Sequence, residues 1–239
     1  MQPRSGQTPA TGTAPPTVME QLAQERPVAD DNSAAARLES MRGSHRTRDA
    51  AQHRLGVRLG LKYNGSYFYQ SDDRTILECL ILPFYQLSAA HQRLLFAGTD
   101  WYTHGYNRLF RAKEYMTLDA DPDKAQYGAA RHVTAPLDTL AAHVSSSSLD
   151  LIVCNGLVGW GLNDRAAAEA SFQACFDALR PGGHLLIGWN DLPEYRPFLL
   201  AELNSMARFA PLHFPPLGAS VHLVDNEWRH VFSFFVKPE

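Results

Sequence analysis

The sequence predicts an α/β protein: a mostly parallel sheet flanked by helices and closed by an antiparallel C-terminal hairpin. Three observations carry this. The apolar runs Leu94–Ala97, Leu149–Cys154 (LDLIVC) and His184–Trp189 (HLLIGW) have the length and composition of strands covered on both faces. Helical segments lie between them, as a parallel sheet requires. The chain closes with two β-rich runs, Val221–Val224 and Val231–Val236, around a turn at Asp225-Asn226-Glu227. Sheets of this kind bind ligands beyond the carboxyl ends of their strands, near the point where strand order reverses.

Composition narrows the function classes. The 239 residues are 45% hydrophobic and 20% charged, with a net charge of −3, an ordinary globular balance. No basic patch stands out, so a nucleic-acid partner is not expected. No apolar run is long enough to span a bilayer and no signal core opens the chain; neither membrane nor export is expected, and a cytoplasmic protein is. Cys79, Cys154 and Cys175 are widely spaced and read as reduced core residues. Without Cys-x-x-Cys or His-Glu-x-x-His, no metal site is expected.

Residues 1–31, rich in Pro, Thr, Ala and Gln, lack an apolar face and read as a disordered tail. Residues 32–92 read as a helical and aromatic extension packing on the core, and 93–239 as the main domain. Within the extension, Ser33–Arg54 is sparse in apolar residues, and Asn64-Gly65 marks a turn between aromatic segments that include Tyr67 and Tyr69. Ser71-Asp72-Asp73 offers cap chemistry for a helix burying Ile76, Leu80 and Phe84, kinked or ended by Pro83.

Leu94–Ala97 is the first strand, followed by a turn from Gly98 and a short helix. The second strand is Tyr115–Leu118, then a helix over Asp123–Ala130 opened by Asp121-Pro122. A third strand lies near His132–Thr134, with Pro136–His143 helical or irregular. Leu149–Cys154 is the fourth strand. Asn163-Asp164 caps a helix that buries Phe172, Cys175, Phe176 and Leu179 and stops at Arg180-Pro181-Gly182-Gly183. His184–Trp189 is the fifth. A further helix is expected over Arg196–Phe209, with Leu199, Leu200, Leu203, Met206 and Ala207 on one face.

The stretch LDLIVCNG, the helix closing on LRPGG, the strand HLLIGWND and the final strand RHVFSFFVKP together resemble the class I S-adenosylmethionine-dependent methyltransferase superfamily. The similarity covers about Leu94–Lys237. It implies a Rossmann-like, seven-stranded sheet with an antiparallel C-terminal hairpin, and S-adenosylmethionine as cofactor over strands one, two and four. Asp119 matches the acidic position that holds the ribose hydroxyls in that superfamily, and a carboxylate at the end of a second strand suits a diol on chemical grounds as well. Ala120 follows it. Ala135 falls where an acidic residue often reads the adenine amino group. Asn155, Gly156 and Leu157 match the loop facing cofactor and substrate. The first turn departs from the pattern. Where the superfamily has roughly Gly-x-Gly-x-Gly, this chain has Gly98-Thr99-Asp100-Trp101-Tyr102, and Phe96 replaces the acid inside strand one.

The resemblance therefore implies a methyltransferase with an atypical cofactor loop, acting on a small organic substrate. His104, Asp191 and Tyr195 are candidate bases, and Tyr67, Tyr69, Trp160 and Asn190 candidate substrate contacts. A second reading keeps the fold without methyl transfer: a small-molecule enzyme of other chemistry, a binding module or an inactive partner subunit. A third is an unrelated nucleotide-binding α/β protein. Walker-type and GxSxG sequences are absent, so phosphoryl transfer and serine hydrolysis lack their groups. The oligomeric state is not legible.

Overall fold

A computed structural model describes residues 72–239. The tail, the segments around Ser33–Arg54 and Asn64-Gly65, and the candidates Tyr67 and Tyr69 lie outside the described residues.

The first described element is a helix in three parts. Helix α1 (Asp72–Ile76) passes into a π-helical turn (Leu77–Ile81) and then α2 (Leu82–Leu87). The Leu82 N–H reaches back five residues to the Leu77 carbonyl. This widened turn lies just ahead of Pro83, which has no N–H and crowds the carbonyl four residues back. The helix therefore continues where the sequence predicts a kink or stop. The extra residue also rotates the buried face. Leu77, Ile81, Leu82 and Tyr85 are inside with Arg74 and Glu78, whereas Leu80 is 37% exposed and Ile76 and Phe84 are half-buried. The Ile76, Leu80, Phe84 stripe is thus corrected. Cys79 is exposed on the same turn, contrary to a core cysteine.

The eight strands are β1 (Arg93–Ala97), β2 (Glu114–Asp119), β3 (Arg131–Thr134), β4 (Leu149–Asn155), β5 (Leu179–Asn190), β6 (Ala210–Pro211), β7 (Val221–Leu223) and β8 (His230–Val236). Across the sheet the order is β3-β2-β1-β4-β5-β8-β6, with β7 also on β8. The neighbours from β3 to β5 run parallel; β8 is antiparallel to β5. β6 and β7 share one flank of β8, Ala210 opposite Val236 and Val221 opposite Ser233. Seven lateral positions are thus filled by eight strands. Strand order reverses between β1 and β4, which defines the ligand-side crevice.

One face of the sheet buries Leu95, Ile152, Leu185 and Ile187 against helix α4 (Arg165–Ala178) and the turns beyond β5. The other buries Phe96, Leu151, Val153, Leu186 and Phe234 against α1, α2 and the short helix α3 (Tyr106–Leu109). Strands covered on both faces explain the uninterrupted apolar runs. Asp164 caps α4 by accepting the Ala167 N–H at 2.8 Å. The α4 core face is Ala168, Ser171, Phe172, Ala174, Cys175 and Ala178. Phe176 is only half-buried, with Arg208 (3.8 Å) and Lys237 (4.6 Å) over its ring, and Leu179 already belongs to β5.

The helix expected over Arg196–Phe209 is replaced by short 3-10 turns, Pro193–Tyr195, Leu200–Glu202 and Met206–Arg208. The buried residues here are Phe198, Ser205 and the series Leu200, Leu203, Met206 and Phe209. The spacing of three in that series is the period of a 3-10 helix, whereas Ala207 faces solvent. The segments after β2 and β3 are likewise 3-10 turns, Pro122–Tyr127 and Leu137–Ala142.

At the opposite end from the crevice, Asp150 pins three strands. It accepts the Gln92 and Arg93 N–H groups (2.9 and 2.8 Å) and the Arg180 Nε–H (2.7 Å). Burial raises its pKa, but these hydrogen bonds outweigh that and hold the carboxyl at about 2.

Candidate functional site

Strand register places Gly98, Asp119, Asn155, Asn190 and His230 along the ligand-side edge. Ala97 pairs with Leu118 and Cys154, so Gly98 faces Asp119 on one side and Asn155 on the other. Asn190 pairs with His230 at the far end.

The turn after β1 is ordered by side chains. Asp119 Oδ2 accepts the Thr99 N–H at 2.6 Å, and Oδ1 accepts the Asp121 N–H at 2.9 Å. Lys124 Nζ donates to Asp100 Oδ2 at 2.7 Å, while Thr99 Oγ1 donates to the Lys124 carbonyl at 3.3 Å. Gly98 has φ +89 and approaches Leu157 closely; a Cβ there would lie 2.9 Å from Leu157 Cδ2. A side chain at Gly98 would meet both backbone strain and a clash. Trp101 points into the interior and is 5% exposed. Tyr102 is half-buried, with the Arg74 guanidinium 4.5 Å from its ring centre. Neither aromatic replaces the small residues of a glycine-rich turn by pointing to solvent.

Ala120 is exposed, and Ala135 is half-buried with its N–H on the Asp119 carbonyl (2.9 Å). The segment after β4 folds on Leu157, whose carbonyl accepts the N–H groups of Trp160, Gly161 and Leu162. Gly156 donates to the Gly188 carbonyl at 2.9 Å.

His104 is exposed on the ligand side, its Nδ1 3.4 Å from the Tyr127 carbonyl. Asp191 is buried between Arg196 (2.5 Å) and Arg229 (3.0 Å), with both oxygens engaged. Tyr195 is buried and stacks on Trp160 at 4.9 Å. Trp160 is 41% exposed; its Nε1–H points at Asn190 Oδ1 (3.4 Å), whose Nδ2 donates to the Trp228 carbonyl (2.9 Å). Trp160, Asn190 and Tyr195 thus come together, with Trp228 completing the cluster.

Sequence reasoning missed two polar groups here. His230 Nε2 lies 3.1 Å from Asn155 Oδ1. Burial outweighs the raising effect of Asp73 and, with a smaller effect of Arg74, pushes its pKa down to about 4, so its imidazole is neutral at pH 7. The available signal was a histidine opening an otherwise apolar strand. The second group is Arg74 with Glu78. Arg74 Nη2 donates to Glu78 Oε1 (2.5 Å) and to Tyr106 Oη (2.6 Å), and Tyr106 Oη–H donates to Glu78 Oε1 (2.7 Å). Burial holds the Tyr106 hydroxyl protonated. A charged i, i+4 pair on a helix ordinarily reads as a solvated face, which is why the sequence conceals it. Among the described residues no group of His, Cys, Asp and Glu could hold a metal ion, and no helix is long and apolar enough to cross a membrane.

No protein-family model matches the chain, and no curated protein matches it. Solved structures do resemble it. The N-methyltransferase NodS from Bradyrhizobium japonicum WM9 gives a TM-score of 0.53 at 14% identity, over 71% of this chain and 100% of that one. The same enzyme in complex with S-adenosyl-L-homocysteine gives 0.55 at 13% identity, over 78% and 99%. TrmN from Thermus thermophilus gives 0.50 at 15% identity, over 68% and 48%. At these identities the likeness is one of fold. The chain shares the Rossmann-like fold of these structures, NodS among them.

Proposed function

We propose that this protein is an S-adenosylmethionine-dependent methyltransferase acting on a small organic substrate. The observation that carries the reading is the position of Asp119: at the carboxyl end of β2, facing the turn after β1, beside the reversal of strand order. Each of its oxygens accepts one backbone N–H; Oδ2 also lies 3.4 Å from the Thr99 hydroxyl, and Oδ1 keeps a second lone-pair direction for a ribose hydroxyl. The fold shared with NodS, whose structure has been solved with S-adenosyl-L-homocysteine, supports the same cofactor.

Bound S-adenosylmethionine supplies an activated methyl group for in-line transfer. In this reading the chain contributes position more than acid–base chemistry. Asp119 holds the ribose, aided by the backbone of Gly98, Thr99, Asp100, Tyr102 and Ala120. Ala135 borders the adenine, and Asn155, Gly156 and Leu157 the reacting end. Trp160 and Asn190 contact the substrate. His104 is the remaining base candidate on the ligand side, because Asp191 is held by two arginines and Tyr195 is buried. A small substrate rather than a nucleic acid agrees with the net charge of −3, and the free cysteines agree with a cytoplasmic setting.

A second reading, the same fold without methyl transfer, is favoured by the turn Gly98–Tyr102, where Leu157 presses on Gly98 and Asp100 is tied to Lys124. Calorimetric titration with S-adenosylmethionine and S-adenosyl-L-homocysteine separates the two. Binding that is lost in Asp119→Ala, with the circular dichroism unchanged, supports the cofactor site. Absence of heat at millimolar ligand overturns it. Binding with no methylated product from any small-molecule acceptor pool supports the second reading.

A further inference from the structure

Arg74 Nε and Glu78 Oε2 are both buried and have no hydrogen-bond partner. Their side chains are 4% and 2% exposed, and Arg74 Nη2 and Glu78 Oε1 are bonded to each other and to the Tyr106 hydroxyl. A buried donor and a buried acceptor left open one helical turn apart are costly, and native interiors seldom keep such a pair without use. Arg74 reaches the atypical turn, and Glu78 is held beside Arg74. Arg74 lies over the Tyr102 ring, and its Nη2 is 3.5 Å from the Tyr102 carbonyl.

We propose that Arg74 and Glu78 receive a zwitterionic α-amino-carboxylate, the amino-acid end of the cofactor, in place of the missing glycine-rich turn. The inference rests on the cofactor reading above. The Arg74 Nε–H donates to the carboxylate, and Glu78 Oε2 accepts from the ammonium. The chemistry matches on both sides: one open donor and one open acceptor, of opposite charge, meet a ligand end that carries an ammonium and a carboxylate on one carbon. The turn itself keeps only Gly98 of the glycines that would let backbone amides approach such a group. Tyr106, donating to Glu78 Oε1 and accepting from Arg74, fixes both side chains in the orientation that leaves Nε and Oε2 open.

The test compares two nucleosides by calorimetry. S-adenosyl-L-homocysteine carries the amino-acid end, and 5′-methylthioadenosine lacks it. The wild type is expected to bind the first about tenfold or more tightly than the second, as two charge-assisted hydrogen bonds allow. Arg74→Lys keeps the charge and loses the Nε donor; Glu78→Gln keeps the shape and loses the charge. Each is expected to weaken S-adenosyl-L-homocysteine about tenfold and to leave 5′-methylthioadenosine within twofold, which also shows that the variant is folded. If either variant does not fold, the other carries the test. Discrimination that survives in a folded variant, or equal loss of both ligands, overturns the inference. Wild-type protein that binds both nucleosides equally overturns it and leaves the cofactor reading standing. Wild-type protein that binds neither overturns both.

Discussion

Lys124 Nζ lies 2.7 Å from Asp100 Oδ2, and this ion pair clasps the turn after β1 to the segment after β2. Both side chains are largely shielded, at 21% and 16% exposure, so the pair is less screened than a surface bridge. Lys124→Met is expected to lower stability by about 1 kcal/mol. The loss should shrink as salt is raised, because the wild-type pair is itself weakened there. Thermal unfolding of both proteins at low and high salt measures this. A loss independent of salt would assign the effect to packing of the lysine stem.

Asp119→Ala removes the acceptor for the Thr99 and Asp121 N–H groups. Thr99 is buried, so its amide would be left open, at a cost of about 1–3 kcal/mol. Asp119→Asn keeps one acceptor oxygen and should fall between. Denaturant unfolding of the three proteins gives the order, and unchanged stability in Asp119→Ala would show that the turn holds without its carboxylate.

Stability should fall as acid reaches the buried histidines. His184 and His230 both have pKa values pushed down from 6.5 to about 4, in each case mainly by burial. Neutral when folded, they take up protons more readily when unfolded. Their contribution is present above pH 6.5 and is lost progressively as the pH drops to about 4. Each adds a slope of up to about 1.4 kcal/mol per pH unit in that window. His184→Gln should flatten the curve, as read from midpoints of urea unfolding between neutral and mildly acidic pH.

Asp150 acts in a lower window. Its pKa is held at about 2 rather than 3.8, so its contribution is present above 3.8 and lost between these values. Asp150→Ala leaves two backbone donors and Arg180 without their acceptor and should destabilise by about 3 kcal/mol at neutral pH. A much smaller loss in equilibrium unfolding would mean that water replaces the carboxylate.

Gly159→Ala tests the support of the aromatic cluster. Gly159 has φ +84, and a Cβ there would lie 2.1 Å from the Tyr195 carbonyl oxygen. Backbone must move, separating Tyr195 from Trp160, so tryptophan fluorescence should change together with a stability loss of about 2 kcal/mol or more. An unchanged emission spectrum would contradict the stack as described.

The sheet was legible because strands buried on both faces need only apolar residues, and LLFA, LDLIVC and HLLIGW have little else. The place of Asp119 was legible for a related reason: the strand expected from Tyr115 ends on it. The segment after β5 was not. Leu200, Leu203, Met206 and Phe209 satisfy a helical stripe and a spacing of three equally well, so their pattern does not separate one helix from short turns. Arg74 and Glu78 were hidden because a charged pair four residues apart on a helix has the pattern of a solvated face. His230 was hidden because its neighbours, Asn155 and Arg74, come from distant parts of the chain.

The outer flank of β8 is visited twice, by β6 over Ala210–Pro211 and by β7 over Val221–Leu223, with an excursion between. The rim of the sheet is therefore never one continuous rail. Neither piece presents enough unpaired backbone to template an incoming strand, and Pro211 lacks the N–H altogether. At the far rim β3 is four residues long and begins on the exposed Arg131. A fold with such an apolar, aggregation-competent interior is thus guarded at both margins against strand-by-strand addition, and concentrating the folded protein should not start fibrils from its sheet.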